Sequence, residues 1–280
     1  MIFFGFFMTH ELPWGGNREN KKGKPLPVSE YQKLFPKYSW AVIDDTSETK
    51  RIAHAYRAMT HPLTKVFVEY VLKKYTPSPK KRLLLILPCS KAKPYSLSPS
   101  YLSLYRPLIY LFLGRDIRDD KCPIDVLAMS GMIGSVPLEL EEYSPAPNYD
   151  FSLNAIIDAS GATDLFHLIA QRMSNYLNRV LDFYEEIYSL VNKAYKTVIE
   201  LALKQAQTQN RTALKKIHIF PVASSYLPAL VEVMIHLKNE LHPNYESPQV
   251  TRNRRYFEIL KRRLKTASKI ICESDSRIFC

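Results

Sequence analysis

The residues best equipped for chemistry lie in one short stretch, Pro88-Cys89-Ser90-Lys91-Ala92-Lys93-Pro94-Tyr95-Ser96, continued by Ser98 and Tyr101. Cys89 stands two and four residues from lysines. Nearby cations favour the thiolate, the form that attacks an electrophilic carbon. Lys93 can instead hold a phosphate or a carboxylate. Ser90, Tyr95, Ser98 and Tyr101 supply hydroxyls that can donate to an atom on which negative charge develops. Farther along, Glu139 or Glu141 can bind an amine or act as a base. Each residue also has a plainer reading. A cysteine ending an apolar run is a small core filler. Pro94 and Tyr95 shape a turn, Asp150 caps the next segment, and Glu139, Glu141 and Glu142 form a solvated acidic face.

Positioning these groups requires strands that end together. The apolar run Leu83-Leu84-Leu85-Ile86-Leu87-Pro88, bounded by the breaker Thr76-Pro77-Ser78-Pro79-Lys80-Lys81, predicts a strand buried on both faces. Ile124 to Met129 and Ile217 to Phe220 predict two more, and Ser39 to Asp44 a short one. Helices are expected over Ser47 to Tyr75 (with an interruption at Pro62), Ser100 to Leu113 and Leu227 to Leu241. From Thr163 to about Ala206, apolar residues recur in steps of three or four with no Pro or Gly, predicting one long helix. Alternating strands and helices imply an α/β fold, a mostly parallel sheet with helices on both faces. Ligands then bind beyond the carboxyl ends of the strands. Three loops would converge there: the Cys89 stretch, Ser130-Gly131 through Pro137, and Pro221 through Tyr226 with Ser224 and Ser225. The expected division is an N-terminal arm and helical region over 1–78, an α/β domain over 79–245, and a basic helical extension over 246–280 packed on it.

The 280 residues carry a formal net charge of +12, which suits a polyanionic partner. Arg252, Arg254, Arg255, Lys261, Arg262 and Arg263 concentrate that charge and are either an RNA contact or a solvated helix face. The four cysteines make no zinc or iron–sulfur spacing, so no cofactor is expected, and a reduced cytoplasmic setting is the default. The apolar start, Met1 to Phe7, is far too short to span a bilayer, and no other apolar run is long enough; Met8 is an alternative start.

The pattern Pro88-Cys89-x3-Lys93-Pro94-Tyr95-x2-Ser98-x2-Tyr101 resembles the signature of archaeosine synthase, which ends in histidine where this chain has Tyr101. Gly134 to Glu141, then Tyr143 and Pro145-Ala146-Pro147-Asn148-Tyr149-Asp150, is similar to the family's next segment. The likeness spans roughly residues 80 to 240. It implies a fold similar to uracil-DNA glycosylases and a tRNA substrate carrying 7-cyano-7-deazaguanine, to whose nitrile lysine is added. Cys89 would attack that nitrile to give a thioimidate, with Lys93, Tyr95, Ser98, Tyr101 and Glu139 in the catalytic set. Ser90, Ser130, Gly131, Pro137, Glu141, Asp150, Ser224 and Ser225 would line the pocket. A transglycosylase-like chain and a radical enzyme are the implied partner chains. Two other readings stay open: a non-catalytic RNA-binding module and, by fold analogy, a nucleic-acid glycosylase.

Overall fold

The computed structural model describes residues 28–43, 47–113, 115–157, 159, 161–191, 193–207 and 217–219. In chain order these form α1 (Val28–Gln32), α2 (Glu48–Thr60), α3 (Pro62–Lys73), β1 (Leu83–Pro88), α4 (Arg106–Leu113), β2 (Ile124–Ser130), β3 (Gly134–Pro137), α5 (Ala162–Val180), β4 (Glu186–Ser189), α6 (Lys193–Gln207) and β5 (Ile217–Ile219). The strands make one sheet in the order β3-β2-β1-β4-β5. Only β3 runs antiparallel to its neighbour, so the sheet is mostly parallel, as the α/β expectation has it. Leu83 to Leu87 and every residue of β2 are buried. Consecutive strand residues point to opposite faces, so both faces are covered at these strands. The core that surrounds them also takes in Ala55, Ala58 and Met59 of α2, and Phe67 and Val71 of α3.

Pro62 divides the first helical stretch as expected. It starts α3, and the His61 imidazole caps it by accepting from Leu63 N–H at 3.3 Å.

The single long helix over Thr163 to Ala206 is not formed. α5 stops at Val180, a 3-10 turn follows at Leu181–Phe183, and the chain becomes β4. Two contacts hold it extended. The Tyr184 hydroxyl donates to Asp125 Oδ2 at 2.5 Å, and Glu185 N–H donates to the Arg82 carbonyl at 2.7 Å. Together they place Glu186 opposite Leu83 at the start of β1.

Three smaller departures have local causes. Ser39–Ala41 is a 3-10 turn rather than a strand, and extended pairing is confined to a bridge from Val42 to Asp150. The segment after Ser100 opens as a π-helical turn, Tyr101–Tyr105, before α4. The loop after β2 is a tight hairpin, since β3 turns back so that Gly134 faces Ser130. The expected N-terminal arm is described from Val28 onward and begins there with α1. The helix expected at Leu227–Leu241 and the basic extension lie outside the described residues.

The loop after β1 is fastened from behind by buried charge. The Glu141 carboxylate accepts from Ser96 N–H at 2.8 Å and from the Ser96 hydroxyl. Arg106 donates from Nε to Asp116 at 3.0 Å and from its guanidinium to the Ser96 carbonyl at 3.0 Å. Arg118 bridges to Glu142 at 3.3 Å and lies 3.6 Å from Glu141. On the far side of the hairpin, Arg172 of α5 donates to the carbonyls of Met132 (2.8 Å) and Met59 (2.7 Å), tying the turn to the end of α2.

Burial pushes the Glu141 carboxyl up to about 7 and Asp125 to about 6, against the opposing pull of their donors. A carboxyl raised in the folded state favours folding fully below its unfolded value, and that contribution is lost as pH rises through the folded value. Lys93, lowered to about 8, has shed its own stabilising contribution by the time pH has fallen through 8, so it adds no slope between pH 5 and 7. Unfolding midpoints are therefore expected to fall between pH 5 and 8. Glu141→Gln, which keeps an acceptor for Ser96, should remove a part on the order of 3 kcal/mol. Urea unfolding at several pH values checks this, and an unchanged slope in the variant refutes it. The hairpin gives a second expectation. Gly134 has φ of +97°, and a Cβ there would meet Arg172 Cβ at 3.2 Å. Gly134→Ala should cost about 1–3 kcal/mol by thermal unfolding.

Candidate functional site

Parallel β1 and β2 end side by side, with Pro88 opposite Met129, and Cys89 N–H extends the ladder to the Met129 carbonyl at 3.1 Å. β4 ends next to them, and Leu190 N–H bonds the Ile86 carbonyl at 2.9 Å. Cys89 therefore sits at the carboxyl edge of the sheet between two neighbours, half-buried, with a free thiol.

Four tyrosines surround it. The Tyr195 hydroxyl, from the first turn of α6, lies 3.2 Å from Cys89 Sγ and accepts Leu153 N–H at 3.4 Å. The Tyr95 and Tyr149 hydroxyls meet at 2.8 Å beside the Ser130 side chain. Tyr101 donates to the Pro88 carbonyl at 3.3 Å and packs edge-on against Tyr105. Burial raises all four phenols well above their ordinary value. They thus stay protonated across the neutral range and serve as hydrogen-bond donors.

Lys93 is 4% exposed. Its ammonium donates to the Ser90 carbonyl and lies 4.4 Å from the Tyr149 ring centre and 4.9 Å from that of Tyr95. The negative faces of two rings partly replace the water it has lost. Burial still lowers its pKa to about 8; Cys89 and Asp150 oppose this and Lys37 adds to it. Lys91, an exposed neighbour, approaches Asp150 at 4.0 Å.

Cys89, Ser90, Lys93, Tyr95, Ser130 and Asp150 thus gather at one edge; the third expected loop, Pro221 through Tyr226, lies outside the described residues. Gly131 lies there as well, packed so closely on the next segment that a Cβ would meet Leu153 N at 3.1 Å. The remaining candidates stand elsewhere. The Ser98 hydroxyl faces Ser100 at 3.2 Å, and its carbonyl accepts Leu102 N–H. Pro137 pairs with Leu127, three positions back from Ser130. Glu141 is buried behind the loop on Ser96. Glu139 is exposed, and its charge bears on Tyr75 and Asp125 near the start of β2. Ser224, Ser225 and the basic residues from Arg252 to Arg263 lie outside the described residues.

Three contributors escaped the sequence reading. Tyr149 stood in the second motif, where only Asp150 drew notice. Tyr195 was hidden in the supposed long helix. Lys37 reaches in from the N-terminal side to donate to the Tyr149 carbonyl at 2.9 Å. Among the described residues no His, Cys, Asp and Glu cluster suits a metal, and no helix is long and apolar enough to cross a membrane.

Archaeosine synthase subunit alpha of Thermococcus kodakarensis is 28% identical over 145 residues, covering 52% of this chain and 23% of that protein. The chain thus spans less than a quarter of that relative's length. AF0587, a solved protein of unknown function, is 16% identical over 65% of this chain and 50% of its own, with a TM-score of 0.37, too distant to bear on the fold. A family profile matches residues 64–230, from α3 through β5 and beyond, and carries the whole Cys89 edge. The chain belongs to the family described as Domain of unknown function (DUF5591).

Proposed function

We propose that this chain is an archaeosine synthase-like tRNA-modification protein, or a subunit of one, and that the Cys89 edge adds an amine to the nitrile of 7-cyano-7-deazaguanine in tRNA. The observation that carries this reading is the half-buried Cys89 thiol with the Tyr195 hydroxyl 3.2 Å away. It stands within residues 64–230, which the family profile matches, in a chain 28% identical over 145 residues to archaeosine synthase subunit alpha.

In the proposed sequence Cys89 Sγ bonds to the nitrile carbon. One C–N π pair moves to nitrogen, which gains the proton lost by the thiol, passed through Tyr195. The product is a thioimidate. The incoming amine, lysine on this reading, adds to the same carbon, and Cys89 departs with a proton to leave an amidine. Neutral phenols suit the relay because they stay protonated through the working range. Tyr95, Tyr149 and Ser130 offer hydroxyls to the base or to the developing nitrogen charge. Lys93 offers a cation to an anionic group of either substrate. Ser224 and Ser225 are read as completing the pocket, and the basic residues near Arg255 as a further tRNA contact. The same reading puts the α/β domain at 79–245 with a uracil-DNA glycosylase-like sheet. It places the protein in the cytoplasm, beside a transglycosylase-like or radical enzyme partner.

The second reading, a non-catalytic RNA-binding module, draws on Tyr101. Its phenol is spent on the Pro88 carbonyl, where the family pattern has a titratable histidine.

Mass spectrometry of tRNA bearing 7-cyano-7-deazaguanine, incubated with the protein and free lysine, separates the two. A gain of one lysine mass is expected, and Cys89→Ser should lower the rate by about 100-fold or more while tRNA binding persists. No gain alongside tight, salt-sensitive binding supports the second reading. A gain unaffected by both Cys89→Ala and Lys93→Ala removes the proposed site.

A further inference from the structure

The segment Pro36–Ile43 lies before the stretch that the family profile matches, yet it forms part of the wall beside Cys89. It is laid along Ser144–Asp150 by a series of polar contacts. Tyr38 N–H donates to the Asn148 carbonyl at 2.8 Å, and the Asn148 amide returns to the Pro36 carbonyl at 2.8 Å. Asp150 N–H donates to the Ala41 carbonyl at 2.9 Å, and Ile43 N–H to the Asp150 carbonyl at 3.2 Å. The Tyr38 hydroxyl meets Ser144 Oγ at 3.0 Å.

This strap presents two kinds of group at the surface. The first is positive charge. The Lys37 ammonium is held by the carbonyls of Tyr149 and Pro147. That leaves one of its three donors free. Its charge is felt by Lys93, and in turn it feels Lys91, Asp150 and Cys89. Three ammoniums, Lys37, Lys91 and Lys93, thus surround the single carboxylate of Asp150 on the approach to the thiol. Burial and Lys91 both weaken the Lys37 ammonium, so an incoming anion relieves an existing repulsion. The second kind of group is a stack of flat rings. Tyr38 lies on Trp40 with centres 5.5 Å apart and planes at 27°, and Trp40 lies on His61 at 3.6 Å and 7°. The row is half-exposed, and Tyr143, next to Ser144, is 64% exposed.

Cations next to stacked rings, here beside the Cys89 edge, are the combination that binds unpaired nucleotides: bases stack on the rings and phosphates sit on the lysines. We propose that the strap is the rim on which single-stranded RNA beside the reacting nucleotide is held. Lys37 and Lys91 take phosphates, and the Tyr38 end of the ring stack takes a neighbouring base. The inference rests on the tRNA reading above and adds the face that the RNA meets. A protein partner would have little use for a lysine pair flanking a half-buried thiol, and the charge favours a polyanion.

The test is equilibrium binding of the full chain to a tRNA lacking the 7-cyano base, measured across salt concentrations. No reaction is then needed for the readout. Lys37→Ala and Lys91→Ala should each weaken binding roughly three- to tenfold and flatten the dependence of log K on log salt by about 0.7–1. Tyr38→Ala should weaken binding at every salt with the slope unchanged, and Tyr38→Phe, which keeps the ring, should restore it. Lys80→Ala, an exposed lysine two residues before Arg82 at the opposite end of β1, should change nothing. Wild-type affinity and slope in the Lys37 and Lys91 variants would overturn the proposal, as would a wild-type chain that binds no tRNA. Modification that proceeds without any role for the strap leaves the chemistry of Cys89 standing and removes only the rim. Strap-dependent binding without modification does the reverse.

Discussion

Much of this site follows from burying one ammonium. Lys93 is almost wholly withdrawn from water, has no carboxylate in contact among the described residues, and is held by a carbonyl and two aromatic faces. A buried charge without such company is costly enough to be neutralised or expelled. The two rings must therefore be fixed in place, which the Tyr95–Tyr149 hydroxyl contact does. Tyr149 is in turn held from outside by Lys37 on its carbonyl. The loop carrying Lys93 must not relax toward solvent, and Glu141 and Arg106 grip it at Ser96. A motif with Lys, Pro and Tyr at fixed spacing thus reads as a packing requirement as much as a catalytic one.

What could be read from the chain was what local pattern decides. β1 and β2 are runs of apolar residues with turn signals at their ends, and the structure forms them within a residue of their expected bounds. The site edge followed, since parallel strands ending together leave their loops on one side. β4 was unreadable for the same kind of reason. Tyr184, Ile187, Val191, Tyr195 and Val198 continue the helical spacing of α5, and no Pro or Gly marks the break. What turns the chain there is long-range: the Asp125 carboxylate for Tyr184, the Arg82 carbonyl for Glu185, and pairing with β1. Losing β4 meant losing the loop after it and, with it, Tyr195.

The acidic pair shows another limit. Glu139 and Glu141 are two residues apart, Glu139 within a 3-10 turn and Glu141 at its end, and a turn of three residues sends them in different directions. One reaches the buried Ser96 side and the other reaches water. Composition and spacing cannot choose between them, because the choice depends on which face of the turn packs on the Cys89 loop. Lys37 was invisible for a related reason. Its segment reads as an extended arm, and only pairing with Asn148 and Asp150 brings it to the pocket.

Tyr101 and Tyr195 divide between them what one histidine would combine. Tyr101 is fully buried, raised far above the neutral range, and bonded to the carbonyl of the residue before Cys89. It holds the end of β1, and its proton is committed to that carbonyl. The group placed to exchange one with the thiol is Tyr195, which is within hydrogen-bond distance of Sγ and anchored by Leu153 N–H. A phenol so placed can pass a proton along as the thiol gives one up, but it will not pull one away as an imidazole would. Chemistry that runs through Cys89 therefore finds no paired base among the described residues, and its proton has to leave by way of Tyr195 to the atom that accepts it. The lysines around Cys89 then act on the anionic groups of whatever is brought to the thiol, and the proton traffic is left to the phenol beside it.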